Sequence, residues 1–303
     1  MSTNSSNLRG AIYMMLSMAG FVLNDTLMKS MSDDLPMFQA IFLRGVVATL
    51  LMGLLAWRQH ALLYRLSAGN ANMVGLRVIG EIGATICFIT ALFNMPIANA
   101  TAILQVMPLA VTLAAALFLG EQVGWRRYTA ITVGFIGVML IVRPGSDGFT
   151  IYSVYALAAV VFLTLRDLAT RRLGTGVPST HVAFISALSI MVMSGLLSTA
   201  TPWAPVSFEQ MTMLAFAALF VLTGYLFGIM TMRLGDIGFI SPFRYTILIW
   251  AILLGIVVFG DIPDSLTIAG SAIVVLTGLY TFYRERSVMM RSSHPQAPLR
   301  AEP

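Results

Sequence analysis

Residues 98–118 read ANATAILQVMPLAVTLAAALF, a stretch that contains no charged side chain. A helix of about 20 mostly apolar residues is long enough to cross the hydrocarbon core of a bilayer. Comparable stretches fill the chain, which is 58% hydrophobic and 10% charged, whereas soluble domains are roughly 25% charged. The sequence therefore predicts an all-α integral membrane protein.

Ten transmembrane helices are predicted between polar, Pro or Gly breaks, at residues 8–29, 36–57, 72–93, 98–118, 126–143, 151–170, 178–198, 209–232, 237–259 and 265–283. With a cytoplasmic N-terminus, the segments inside the cell carry nearly all the Lys and Arg found between spans. The outside segments carry only Lys29 and Arg143. This asymmetry is the positive-inside pattern and predicts that both termini are cytoplasmic. The polar tail, residues 284–303, is predicted to be disordered there.

An internal duplication is indicated by landmarks that recur at a nearly constant offset. Asp25 in the first span corresponds to Asp167 in the sixth, and Pro36 corresponds to Pro178. The Gly120-Glu121 pair that closes the fourth span likewise has a counterpart, Gly260-Asp261, at the end of the ninth. Because each copy has an odd number of spans, the second copy must run inverted through the membrane. Inverted repeats place a substrate site near the midplane, where the two halves face each other.

Residues 96–108, PIANATAILQVMP, carry a more specific signal together with residues 119–121 and 134–138, LGE and GFIGV. These segments resemble the signature of the EamA-type family of the drug/metabolite transporter superfamily. The second half has a weaker echo in residues 235–242, GDIGFISP, and has Asp261 where the family usually has a glutamate. The ninth span also departs from the pattern with Phe-Arg-Tyr at residues 243–245.

The resemblance implies a ten-helix alternating-access carrier with two inverted five-helix repeats, residues 8–143 and 149–283. It also implies a multi-pass protein of a bacterial inner membrane. Members of the family handle amino acids, nucleosides, vitamins, nucleotide sugars and drugs, so the resemblance does not choose a substrate or a direction of transport.

Charged side chains inside the spans are the first candidates for a substrate site, because a charge at bilayer depth usually faces a cavity or a partner. Arg77 and Glu81 share one helix face and can pair. Two interpretations of Glu81 remain open: a structural ion pair, or a substrate contact or proton-carrying carboxylate. Asp25 is a similar candidate. The adjacent residues Arg166 and Asp167 are predicted to point about 100° apart, so that only one faces the cavity.

Arg244 is the sharpest single candidate, because it follows Pro242 and has Tyr245 beside it. An arginine flanked by aromatic rings can clamp a carboxylate or phosphate, or stack on a ring. Gln105 precedes Pro108, which should kink the fourth span. Tyr225 is a candidate for an aromatic wall. The embedded cations outnumber the embedded anions by one, and this surplus favours a substrate with an anionic or acceptor-rich group. The cations are Arg44, Arg77, Arg166 and Arg244, and the anions are Asp25, Glu81 and Asp167.

No metalloprotease, phosphate-loop or hydrolase motif is present, and Cys87 is the one cysteine. The sequence therefore predicts a secondary transporter, with no cofactor, no metal and no nucleic-acid partner. Its predicted partners are a small organic solute and membrane lipid. Uptake of a heteroaromatic vitamin such as riboflavin, or of an adenosyl-type metabolite, is preferred, with export of amino acids or drugs as the alternative. A membrane-embedded enzyme and a channel are the alternatives from other classes. Protons or a counter-solute as coupling species, and a monomer or homodimer, are left open.

Overall fold

The computed structural model describes residues 3–120, 124–144, 150–174, 176–232 and 240–292. Within these ranges the chain is helical and contains no β-strand. The prediction of an all-α protein is thereby confirmed.

The described ranges contain nine helices before residue 233. In chain order, α1 to α9 are Thr3–Ser30, Met37–Arg58, Ala68–Asn94, Ile97–Leu104, Met107–Leu119, Trp125–Val142, Ile151–Arg171, Ser179–Ser198 and Phe208–Met232. A 3-10 turn (Ser241–Tyr245), α10 (Thr246–Leu254) and a π-helical turn (Gly255–Phe259) then follow one another without a break. Helix α11 covers Ser265–Ser292.

Eight helical segments of the described ranges are long and apolar enough to cross a membrane. Helices α4 and α5 together make one of them, Ile97–Phe118, and the segment around α10 makes another, Pro242–Phe259. The fifth and tenth predicted spans correspond to α6 and α11. The apolar parts of these two helices, Tyr128–Val142 and Ser265–Thr281, are shorter. Length and composition therefore establish an integral membrane protein with eight clear spans.

The predicted kink in the fourth span is confirmed. Helix α4 ends at Leu104, and α5 begins at Met107 with Pro108 in its first turn. Proline has no N–H to continue the helical ladder, so the chain makes shorter-range bonds at Gln105 and Val106 before the helix resumes. The largest buried apolar cluster surrounds this break.

Four long helix pairs organise the bundle: α1 packs along α9, α2 along α8, α3 along α7, and α6 along α11. The α3–α7 pair is close because Gly80 faces the backbone of α7. A Cβ atom at Gly80 would lie 2.8 Å from both the Phe162 carbonyl oxygen and the Arg166 nitrogen. Small residues let membrane helices approach in this way.

The recurring landmarks of the sequence occupy equivalent structural positions. Pro36 and Pro178 are the residues immediately before α2 and α8. Gly120 and Gly260 each end a helical segment in the left-handed conformation, with φ of 69° and 70°. Glycine adopts this conformation without a Cβ clash, which accounts for its use at both ends.

The last helix differs from its prediction. It continues to Ser292, so residues 284–292 of the predicted disordered tail are helical. Charged residues with good helix propensity follow the apolar span there and allow the helix to extend beyond the apolar part. Residues 293–303 lie outside the described ranges, as do Glu121 and residues 233–239.

Candidate functional site

A buried ion-pair cluster joins α3 to α7. Glu81 of α3 is 7% exposed, and its two carboxylate oxygens each lie 3.5 Å from a guanidinium nitrogen, one of Arg77 and one of Arg166. Arg77 also donates a hydrogen bond of 2.5 Å to the Thr170 hydroxyl of α7. The predicted Arg77–Glu81 pair is therefore present, and it extends to a second helix.

Arg166 also binds its own neighbour along the chain. Its Nε and one terminal nitrogen lie 2.9 Å from the same carboxylate oxygen of Asp167. The two side chains therefore bind each other although they start about 100° apart on the helix, and the expectation that only one of them faces the cavity stays a prediction. With Glu81 and Arg77, the pair forms a tetrad of two cations and two anions.

A second polar chain lies between α1 and α2. Arg44 donates to the Asn24 amide oxygen at 2.8 Å, and the Asn24 amide nitrogen donates to Asp25 at 2.9 Å. Asn24 thus mediates a bridge from Arg44 to the acidic side chain of Asp25. The sequence analysis did not identify Asn24 or Thr170 as candidate site residues. The signal for Asn24 was its position next to an embedded carboxylate.

Tyr225 of α9 lies between the two clusters. Its hydroxyl is within electrostatic range of Glu81, Arg166, Arg77 and Arg44. Its ring packs edge-on against Phe21 of α1, with ring centroids 5.4 Å apart. The predicted aromatic residue is thus brought to the same centre, on a helix of the second half of the chain.

Arg244 lies in the 3-10 turn before α10, within electrostatic range of Asp167, Arg166 and Tyr245. It is partly buried, and it forms no hydrogen bond or ion pair with any residue of the described ranges. The tetrad is balanced, and Asp25 offsets Arg44. Among these seven side chains of the described ranges the cations outnumber the anions by one, and Arg244 is the cation without a direct hydrogen bond or ion pair; it is called the uncompensated charge below.

Two predicted residues, Tyr245 and Gln105, occupy buried packing positions. Tyr245 is 5% exposed and fits into the space left by Gly278 of α11, where an added Cβ would overlap the tyrosine hydroxyl. Gln105 is also buried, at the break between α4 and α5. Helix α10 packs on α4, and no hydrogen bond within the described ranges joins Gln105 to Arg244.

Lys29 plays a structural role at the end of α1. Its ammonium donates to the carbonyl oxygens of Leu92 and Met95, at 2.9 and 2.8 Å, and lies 5.4 Å from the centre of the Phe259 ring. These bonds connect the end of α1 to the end of α3. In the described ranges no group of three or more His, Cys, Asp or Glu residues could hold a metal ion.

The fold and this buried centre define a polytopic α-helical membrane protein with a charged interior. A profile of the EamA-like transporter family matches residues 8–143. This stretch of the chain is therefore similar to the EamA-like transporter family, in agreement with the resemblance of its motifs.

Relatives with named activities are transporters. The chain is 26% identical to the pseudopaline exporter CntI of Pseudomonas aeruginosa, over 88% of this chain and 93% of that one. It is 27% identical to the S-adenosylmethionine uptake transporter of Rickettsia conorii, over 66% and 68% of the two chains. It is 29% identical to the riboflavin transporter of Vibrio cholerae, over 67% and 68%. A solved crystal structure with 19% identity covers 95% of this chain and 99% of its own, with a TM-score of 0.64, and supports the fold alone.

Proposed function

We propose that this chain is a secondary transporter that moves a small organic metabolite by alternating access, with the substrate anchored at Arg244 beside the Arg166–Asp167 pair. The observation that carries the proposal is the uncompensated Arg244 next to a balanced ion-pair cluster. An unpaired buried charge is costly unless a ligand or water satisfies it.

The pairing of helices supports the architecture that alternating access requires. The first five spans are α1, α2, α3, α4 with α5, and α6, and their counterparts five places later are α7, α8, α9, the segment around α10, and α11. When each span is exchanged with its counterpart, the α3–α7 contact becomes the α9–α1 contact. The same exchange leaves the α2–α8 contact and the α6–α11 contact unchanged, because each joins two counterpart spans. This pattern favours ten spans in two inverted five-helix repeats, residues 8–143 and 149–283, and a site where the halves meet.

The chemistry of the site favours a substrate with an acidic or acceptor-rich group. Arg244 supplies an unpaired planar donor, and Arg is suited to carboxylate or phosphate groups. Tyr225 and Phe21 supply aromatic surface nearby. Together with the riboflavin and S-adenosylmethionine transporters among the relatives, this favours uptake of a metabolite that carries a heteroaromatic ring.

Export is the second candidate, and it has one specific observation in its favour. The pseudopaline exporter aligns over 88% of this chain and 93% of its own length, so a protein named as an exporter resembles this chain over most of its length. The proposal of an anion-binding arginine is the same for both directions. We further propose an inner-membrane location in a bacterium, with both termini in the cytoplasm.

The test is a thermal-shift screen of the purified protein against riboflavin, nucleosides, adenosyl compounds and amino acids, since a ligand of the folded state raises the melting temperature. Compounds that bind are then measured for flux in proteoliposomes in both directions. The expected result is saturable flux that Arg244→Ala abolishes and Arg244→Lys reduces. Non-saturating flux would indicate a pore, and full activity of Arg244→Ala would remove this residue from the site.

A further inference from the structure

A groove on the outer surface of the bundle separates one end of α6 from α11. The two helices are closest where Gly137 faces Gly270, since a Cβ atom on either glycine would lie within 3 Å of the carbonyl oxygen of the other. Towards the Trp125 end of α6 they enclose a groove of about 330 Å³. Its walls are largely apolar, and the hydroxyls of the two threonines among them, Thr129 and Thr277, donate to backbone carbonyls of their own helices.

The composition of the groove changes along its length. Ala130, Val133 and Leu276 line its apolar part, whereas Trp125, Arg126 and Tyr280 stand at its end. No described residue that lines it is acidic. A phospholipid molecule is divided in the same way, into an apolar acyl chain and a polar headgroup.

The polar groups at the end of the groove have no partner within the described ranges. The Arg126 guanidinium lies 5.4 Å from the centre of the Trp125 ring and forms no hydrogen bond or ion pair there. Trp125 is 72% exposed and Tyr280 is 46% exposed. Exposed Trp and Tyr at a helix end are typical of the interfacial region where headgroups lie. The first turn of α6 adds to the positive potential, because no side chain caps it and it contains no acidic residue.

A second groove, between α1 and α9, provides an internal comparison. It is lined by apolar residues such as Leu27, Phe216 and Phe220, but its charged residue is Glu209 and no cation lines it. Lipid chains can fill both grooves, but only the α6–α11 groove offers a counter-charge for an acidic headgroup.

We infer that the α6–α11 groove binds an anionic phospholipid, with one acyl chain against Ala130, Val133 and Leu276 and the phosphate at Arg126. Basic sites between transmembrane helices bind acidic lipid headgroups by charge, and the apolar groove adds contact with the tail. A soluble phosphate would satisfy Arg126 but leave the apolar walls without a partner. This lipid site is independent of the proposed substrate site.

The experiment is a titration of the detergent-purified protein with phosphatidylglycerol and with phosphatidylcholine, followed by native mass spectrometry. We expect the wild-type protein to bind phosphatidylglycerol more tightly than phosphatidylcholine. Arg126→Ala should weaken phosphatidylglycerol binding about fivefold, the contribution of one cation near an anionic lipid surface, and leave phosphatidylcholine binding unchanged. An unchanged melting temperature of the variant verifies its fold.

Arg58→Ala is the matched control, because Trp57 and Arg58 form the same dipeptide at an exposed helix end that lines neither of the two grooves. It should retain the preference for phosphatidylglycerol. sn-Glycerol 1-phosphate, which has the charge without the tails, should not displace the lipid at equal concentration. The inference is overturned by equal affinity for the two lipids, by an Arg126→Ala protein that keeps the preference, or by displacement by glycerol phosphate.

Discussion

Charge balance in the α3–α7 tetrad leads to a quantitative prediction for Glu81→Gln. The substitution keeps the size of the side chain but leaves two arginines, Arg77 and Arg166, with Asp167 as their only acidic partner. Removal of one partner from a buried ion pair costs about 3–5 kcal/mol. Because both pairs of Glu81 are 3.5 Å long and Arg77 retains its hydroxyl partner Thr170, we expect a loss near the lower limit, about 3 kcal/mol.

A double substitution separates charge balance from the loss of contacts. Glu81→Gln with Arg77→Gln again leaves equal numbers of cations and anions, here Arg166 and Asp167. Its free energy of unfolding should therefore exceed that of Glu81→Gln alone, although it lacks more native contacts. Neighbouring residues of one network are expected to be non-additive in this way.

The assay is reversible unfolding in mixed micelles with increasing SDS, followed by tryptophan fluorescence. Glu209→Gln is the control, because Glu209 is exposed at the start of α9 and surface substitutions usually change stability by less than about 0.5 kcal/mol. If Glu81→Gln were as stable as the wild type, or the double variant less stable than the single one, the tetrad would not be a desolvated, balanced unit. The description of Arg244 as the surplus charge would then be refuted.

Three further predictions concern packing, capping and the α1 end. Gly80→Ala should push α7 away and lower the free energy of unfolding by about 1–3 kcal/mol. Gly75→Ala is the control and should not lower it, because a Cβ atom at Gly75 meets no atom within 4 Å. Unfolding in SDS compares the two variants. The Arg143 guanidinium, with a backbone N–H, lowers the pKa of Asp264 from 3.8 to about 2. Asp264→Asn should therefore reduce the melting temperature slightly at neutral pH, and this difference should disappear as the pH falls from about 4 to 2, because the native carboxylate is then protonated. Lys29→Met removes two charge-assisted bonds to α3 and should cost about 1.5–3 kcal/mol, measured by the same unfolding assay.

Properties encoded along one helix could be predicted from the sequence. The spans, the break before Pro108 and the Arg77–Glu81 pair each depend on residues within a few positions of one another. The ends of the predicted spans agree with the ends of the observed helices to within a few residues, apart from the extension of α11. Hydrophobic length and the four-residue spacing of a helix are sufficient for such features.

Features that depend on two helices could not be predicted. Arg166 reaches Glu81 only because Gly80 lets α7 approach α3, and a sequence does not state which helices are neighbours. Asn24 binds Arg44 for a similar reason, across α1 and α2. One bond within a single helix was also missed, from Arg166 to Asp167, because the angular positions of two Cα atoms do not limit the reach of a long, flexible side chain.

The uncompensated charge of Arg244 has a consequence for the proposed transport cycle. A desolvated charge without a partner costs about 2.5–3.5 kcal/mol on insertion scales, so closure around an empty site is disfavoured. An anionic substrate removes this cost, and closure then follows binding. Arg244→Gln removes the charge, and the empty variant should close readily.

Hydrogen–deuterium exchange of the segment Ser241–Tyr245 tests this argument. In the wild type, exchange should slow when the substrate identified by the screen is added. In Arg244→Gln, exchange should already be slow without substrate and should change little on addition. Equal exchange in the two empty proteins would mean that Arg244 is satisfied by water in every state, and the link between substrate charge and closure would have to be given up.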